Sequence, residues 1–182
     1  KSNDGLHLLM DSTGMKFLGE GEWKRKKHGP EYRRQWRKLH IGIDAKTLQI
    51  RAVQLTTNNV SDSQVLGDLL NQIPQDEQIN SVYTDGAYDT KQCRQVIADR
   101  QAHAVIPPRK NAKPWKDTKS SSLERNELLR TIKRLGRTLW KKSSGYHRRS
   151  LVETKMNCIK LLGDKLSARS FDSQVQDRGM PK

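Results

Sequence analysis

At 182 residues the chain is long enough to form one domain with a proper hydrophobic core. Apolar residues make up 33% and charged residues 30%, and the formal net charge of +15 points to a polyanionic partner, with nucleic acid ahead of an anionic membrane surface. No run approaches about 18 apolar residues and no signal-peptide pattern is present, so a membrane-spanning or exported chain is not expected and a cytoplasmic, nucleoid-associated one is.

The first candidate strand, Leu6-His7-Leu8-Leu9-Met10, ends in Asp11 and runs into the turn residues Ser12-Thr13-Gly14. A long polar excursion follows. Over residues 23–38 it carries Trp23, Lys24, Arg25, Lys26, Lys27, Arg33, Arg34, Trp36, Arg37 and Lys38, with Glu31 the sole acid. Cations interleaved with Trp23, Tyr32 and Trp36 suit phosphate contact combined with base or sugar stacking. The plainer alternative is a solvated charged loop that its tryptophans anchor to the core.

Residues 38–45 and 50–56 alternate or run apolar around a short turn near Lys46-Thr47, which predicts an antiparallel hairpin with Asp44 in a structural or turn role. A helix is expected from Ser61 or Asp62 to about Gln72, with Leu66, Leu69, Leu70 and Ile73 inward and Pro74 as its stop. Ile79-Asn80-Ser81-Val82-Tyr83 reads as a second buried strand that ends in Thr84-Asp85-Gly86. A helix over roughly 89–100 turns Cys93, Val96 and Ile97 inward, and residues 103–107 form a short fifth strand before Pro107-Pro108. His103 there satisfies a local hydrogen bond. Cys93 and Cys158 form no CxxC and read as reduced and structural; with five scattered histidines they make a poor zinc site.

Residues 109–122 read as a flexible basic loop, closed by Ser120-Ser121-Ser122. A helix over about 123–140 follows, with Leu128, Leu129, Ile132, Leu135 and Leu139 apolar and Arg130, Lys133, Arg134 and Arg137 basic. Trp140 is expected in the core, and Trp115 fits either stacking or core. The stretch from Ser144 to Lys160 is the last helix, with Gly145 just ahead of it and Ser150 as cap for a start one turn later. At about 100° per residue, Tyr146, Arg149, Glu153 and Lys160 share one polar line, beside an apolar stripe of Val152, Met156, Ile159 and Leu166. On its own this line also fits a solvated face with an Arg149–Glu153 pair at i, i+4.

Two strands that each carry an acid at the C-terminal end can bring Asp11 and Asp85 within a few ångströms, and an inward-facing helix can add Glu153. Three clustered carboxylates repel one another unless a cation neutralises them, and hard oxygen ligands suit Mg²⁺ or Mn²⁺.

Strand-Asp, strand-Asp-Gly, then Tyr-x2-Arg-x3-Glu-x6-Lys on a helix resembles the DDE transposases of bacterial insertion sequences. Tyr146, Arg149, Glu153 and Lys160 match that family's signature with no residue added or lost. The phrases Asp11-Ser12-Thr13-Gly14, Arg37-Lys38-Leu39-His40, Thr84-Asp85-Gly86-Ala87-Tyr88 and Ser144-Gly145-Tyr146-His147-Arg148-Arg149 look like the fifth insertion-sequence family, and the similarity runs from about residue 6 to about residue 172.

The element order β, β-β hairpin, α, β, α, β, α comes from the residues; the resemblance supplies the fold name. It implies an α/β, ribonuclease-H-like mixed sheet of about five strands flanked by helices, with a basic insertion (110–145) before the last catalytic helix. Residues 1–182 are then one catalytic domain, with a frayed tail at 170–182 and without the family's N-terminal end-recognition region. Asp11, Asp85 and Glu153 are the implied catalytic residues and metal ligands. Asp11 bridges two Mg²⁺ or Mn²⁺ ions and the other two acids hold one each. Tyr146, Arg149, Lys160, Trp23, Lys26, Lys27, Arg33, Arg34, Trp36 and Arg37 are the implied DNA contacts. The implied reaction cuts double-stranded DNA at terminal inverted repeats and joins the freed 3′-OH to target DNA, carried out by a homodimer. The rival expectations are a plain metal-dependent nuclease of the same fold and a DNA-binding remnant that does not transpose.

Overall fold

A computed structural model describes residues 5–17, 36–163, 165, 166 and 173. The chain forms one mixed sheet with helices on both faces. The strands are β1 (Leu6–Phe17), β2 (Trp36–Asp44), β3 (Ile50–Thr57), β4 (Ile79–Tyr83), β5 (His103–Val105) and β6 (Lys165–Leu166). The helices are α1 (Asp62–Asn71), α2 (Lys91–Asp99), α3 (Ser120–Leu135), α4 (Arg137–Ser143) and α5 (Ser150–Leu161). The sheet order is β3-β2-β1-β4-β5, with β6 added to β1. The β1–β2 and β2–β3 pairs are antiparallel, whereas β1–β4, β4–β5 and β1–β6 are parallel. Strand order and helix placement together give the ribonuclease-H-like architecture.

Among the described strands, β1 is the spine because it pairs with three others. Its side chains alternate between the two faces, as strand geometry requires. Leu8 and Met10 enter the core under α1 and α2, together with Leu66, Leu69, Leu70, Tyr88 and Ile97. Leu9 and Met15 enter the opposite core with Leu39, Ile41, Tyr83, Trp140, Val152 and Met156. Asp11 shares the parity of Leu9, so it stands on the face covered by α5.

β1 does not stop at Asp11. Ser12, Thr13 and Gly14 read as turn residues, but they pair with His40, Leu39 and Lys38 and continue the strand to Phe17. Ladder hydrogen bonds to β2 override the local turn propensity. Asp11 is therefore mid-strand, although it lies just past the parallel part, whose last pair is Leu9 with Tyr83.

The hairpin expected at Lys46-Thr47 is present. Asp44 closes it by accepting from the Thr47 N–H at 3.0 Å and the Thr47 hydroxyl at 2.8 Å. α1 starts where Ser61 places it, with the Gln64 side chain accepting from the Ser61 N–H at 2.9 Å. α2 is capped by Thr90, which accepts from the Cys93 N–H at 3.1 Å. His103 pairs with Glu124 of α3 at 2.7 Å, a partner 21 residues away rather than the local one expected.

Further boundaries differ from the sequence reading. Ser120-Ser121-Ser122 form the first turn of α3 rather than the end of a loop, with Ser121 and Ser122 buried. The single helix expected over 123–140 is two helices, because Gly136 sits at φ 87°, a conformation that only glycine adopts without strain. Leu166 belongs to β6 and reaches the core from there, not from the helical stripe, since α5 ends at Leu161. Of the two cysteines, both free, Cys93 is buried and Cys158 is exposed. Among the described residues no helix is long and apolar enough to cross a membrane.

Candidate active site

The β1–β4 register builds the first part of the site. Leu9 pairs with Tyr83 at the end of the parallel ladder, and an acid follows two residues later on each side: Asp11 within β1 and Asp85 just past the end of β4, close enough to act on each other electrostatically. Adjacent strands lie about 4.8 Å apart, which makes the two carboxylates electrostatic neighbours. The Asp11 carboxyl is pushed above the ordinary carboxylate range. Burial is the main cause; Arg149 and the Ser12 N–H pull it back, and Asp85 adds to the rise.

Asp85 is held by its own turn. Its side chain accepts from the Ala87 N–H at 2.8 Å and caps the single 3-10 turn Gly86–Tyr88. Arg109 clamps that turn from outside, donating through Nε to the Gly86 carbonyl and through Nη2 to the Ala87 carbonyl, each at 3.3 Å. Gly86 is packed so closely that a Cβ there would meet the Pro107 carbonyl oxygen at 3.3 Å. Beneath the turn Tyr88 is buried with its hydroxyl unpartnered, and burial pushes that phenol well above its ordinary range, helped by Asp62, Asp11 and Asp85.

The third part comes from the entry to α5. Gly145, at φ 68°, turns the chain into a 3-10 turn over Tyr146–Arg149, and α5 follows from Ser150. The expected start of a continuous helix near Gly145 is thus replaced by a tighter turn. Ser150 does not cap α5 through its side chain; its hydroxyl donates to the His147 carbonyl at 2.9 Å. Arg149, the last residue of that turn, has helical backbone angles and faces both β1 and the next turn of α5. Arg149 Nη1 donates to Asp11 Oδ2 at 2.6 Å, and Nη2 donates to Glu153 Oε1. One guanidinium therefore joins an acid of the sheet to an acid of α5. The Arg149 and Asp11 side chains are each 17% exposed, whereas that of Glu153 is 52% exposed.

Tyr146 packs its ring 5.7 Å from that of Trp140, under the ammonium of Lys141 at 5.3 Å. Its phenol is pushed up by burial, with the adjacent Arg149 pulling it back. Trp140 is buried, as expected. Lys160 stands in the last turn of α5, about 10 Å along the axis from Glu153. Trp36 and Arg37 open β2 opposite Lys16 and Met15, so they lie roughly 13–16 Å along β1 from Asp11. Trp36 is 41% exposed and its indole covers Gly14. Trp23, Lys26, Lys27, Arg33 and Arg34 lie outside the described residues.

The structure thus brings Asp11, Arg149 and Glu153 into one chain of ion pairs, with Asp85 beside Asp11. Among the described residues, no group of three His, Cys, Asp or Glu side chains is arranged to hold a metal ion. The donor chemistry still fits a hard divalent ion. Asp11 is a part-buried acid that needs a nearby cation to stay charged, and Glu153 has the exposure to swing towards it. In this structure Arg149 provides the positive charge.

A second ion-pair cluster escaped the sequence reading. Asp89, just past the 3-10 turn, receives Arg94 Nε at 3.0 Å and Arg125 Nη2 at 2.9 Å, and all three residues are buried. Arg94 also donates to the Ile106 carbonyl at 2.9 Å, and Arg125 to the Lys113 carbonyl at 2.8 Å. The Arg125 guanidinium lies 4.1 Å from the centre of the Trp115 ring, which gives that tryptophan its role. This cluster fastens α3 and the preceding basic loop to the turn that carries Asp85. An acid at a helix start and two arginines in basic stretches look like ordinary surface charges, so no local signal marks them.

A mixed sheet in this order, with Asp11 on β1, Asp85 just past the end of β4 and Glu153 on the covering helix, has the ribonuclease-H-like architecture. Residues 2–180 match the family described as the transposase DDE domain, and the chain belongs to that family. It is a transposase domain, a polynucleotidyl transferase and endonuclease that binds DNA, and DDE transposase domains use divalent metals.

Proposed function

We propose that this domain cuts phosphodiester bonds at the ends of an insertion-sequence element of the fifth family and joins the freed 3′-OH to target DNA. Asp11, Asp85 and Glu153 are the acids that hold Mg²⁺ or Mn²⁺ in this reading. When bound, the divalent ions polarise the phosphoryl oxygen and lower the pKa of the attacking hydroxyl or water. The observation that carries the reading is the Arg149 guanidinium joining Asp11 of β1 to Glu153 of α5, with Asp85 two residues past Tyr83, the partner of Leu9.

The protein's own groups have separable tasks. Asp85 is oriented by the Ala87 N–H, and its turn is kept rigid by Arg109. Arg149 and Lys160 meet phosphate oxygens flanking the scissile bond, Arg149 through its two-pronged guanidinium. Tyr146, seated against Trp140, presents its hydroxyl edge to the DNA backbone or its ring to a displaced base. Trp36 and Arg37 extend the contact along β1, and two copies of the chain act together on paired ends.

The test uses a duplex carrying the candidate inverted repeats, a target plasmid, and Mg²⁺ or Mn²⁺. The wild-type chain nicks the repeat end and yields joined product, whereas Asp85→Ala gives neither while still binding DNA. Unchanged nicking by Asp85→Ala overturns the reading. Nicking without joining by the wild type reduces it to a nuclease.

A further inference from the structure

The Arg149 bridge has a consequence for the order in which the site is loaded. Arg149 Nη1 lies 2.6 Å from Asp11 Oδ2, while Nη2 bonds Glu153. One oxygen of each carboxylate is spent on the guanidinium, and the other oxygen of Asp11 accepts from the Ser12 N–H. Arg149 is 17% exposed and paired on both prongs. It cannot neutralise the two acids and grip a DNA phosphate with the same prongs.

We infer that Arg149 is a latch that couples divalent-metal binding to DNA binding. Without DNA the guanidinium satisfies Asp11 and Glu153 and competes with the ion. A backbone phosphate offers Arg149 an equivalent bidentate partner, and its departure frees the two carboxylates. DNA then raises metal affinity and, by reciprocity, metal raises DNA affinity. The geometry supports a switch between discrete partners. Arg149 sits in the short 3-10 turn ahead of α5, where a small rotation redirects the side chain without unpacking Val152 or Met156 from the core. The turn is hinged at Gly145, whose left-handed backbone carries no Cβ strain. The latch also keeps a strongly basic chain from holding a charged metal centre away from its substrate.

The inference rests on the reading of Asp11 and Glu153 as metal ligands, and the test separates the two. Mn²⁺ binding is measured by the loss of the free-ion electron paramagnetic resonance signal, in the full chain, with and without a 20-base-pair duplex. The latch predicts that Arg149→Gln binds Mn²⁺ at least about fivefold more tightly than wild type without DNA. DNA tightens Mn²⁺ binding by a comparable factor in wild type and not in Arg149→Gln. Arg149→Lys, whose single ammonium cannot span both acids, falls between, and it decides the matter if the Gln variant misfolds. Equal or weaker Mn²⁺ binding by the folded Arg149 variants overturns the latch. Mn²⁺ binding that Asp11→Asn leaves unchanged instead overturns the metal-site reading beneath it.

Discussion

Two ion-pair clusters in this molecule have opposite composition. At Asp89 one acid is gripped by two arginines, with side-chain exposures of 1–3%. At Arg149 one arginine is shared by two acids, with exposures of 17% for Arg149 and Asp11 and 52% for Glu153. The first is closed: Arg94 and Arg125 also reach backbone carbonyls, so few of their donors look for a partner elsewhere. The second leaves an excess of carboxylate, with Asp85 near Asp11 and Glu153 open to solvent. A cluster in the first state holds structure together, whereas one in the second is poised to receive a cation.

The sharpest way to break this contrast is to remove the centre of each cluster. Asp89→Ala leaves two buried guanidinium groups without their anion and is expected to cost about 3–5 kcal/mol of stability, read by urea unfolding. A cost under about 1 kcal/mol would place the Asp89 cluster among surface pairs. Asp11→Asn does the reverse. It relieves a desolvated carboxylate, so stability is unchanged or slightly higher, while Mg²⁺-dependent nicking falls by about 100-fold or more. Destabilisation on the scale of Asp89→Ala would mean that Asp11 is a structural acid after all.

A smaller effect concerns the face opposite the site. His40 is wholly buried, donates to or accepts from the Thr56 hydroxyl at 2.9 Å, and has its pKa lowered to about 4, chiefly by burial. The unfolded chain takes up this proton near pH 6.5 and the folded chain only near 4, so the unfolded state binds more protons between these values. Stability is therefore full above about pH 6.5 and falls as the pH drops towards 4, with roughly 2 kcal/mol lost between pH 7 and pH 5. Urea unfolding of wild type and His40→Gln at the two pH values checks this, and the variant is expected to flatten the difference. An unchanged slope in the variant would assign the acid sensitivity to other groups.

Much of the fold was legible because the chain is locally consistent. The β-β-β-α-β-α-β-α order follows from runs such as Leu8-Leu9-Met10 and from the stops at Pro74 and Pro107, and the hairpin at Asp44 follows from its turn chemistry. The misreadings arose where distant pairing overruled local preference. Ser12-Thr13-Gly14 looks like a turn until β2 is laid beside it. Gly136 looks tolerable within a helix until its positive φ breaks it.

The candidate site was legible as a list of residues but not as an arrangement. Spacing placed Arg149 one turn before Glu153, but only the 3-10 turn and the sheet register send its other prong to Asp11. The Asp89 cluster was invisible because its arginines are 5 and 36 residues away from the acid.

The most direct measurement of the central claim replaces Mg²⁺ with Fe²⁺ in the DNA-bound protein and generates hydroxyl radicals with ascorbate and peroxide. Backbone scission sites are then mapped by mass spectrometry. Convergence of the three acids on shared metal predicts cuts clustered around Asp11, Asp85 and Glu153, suppressed by excess Mg²⁺. Cuts confined to one of these segments, or centred elsewhere, would contradict it.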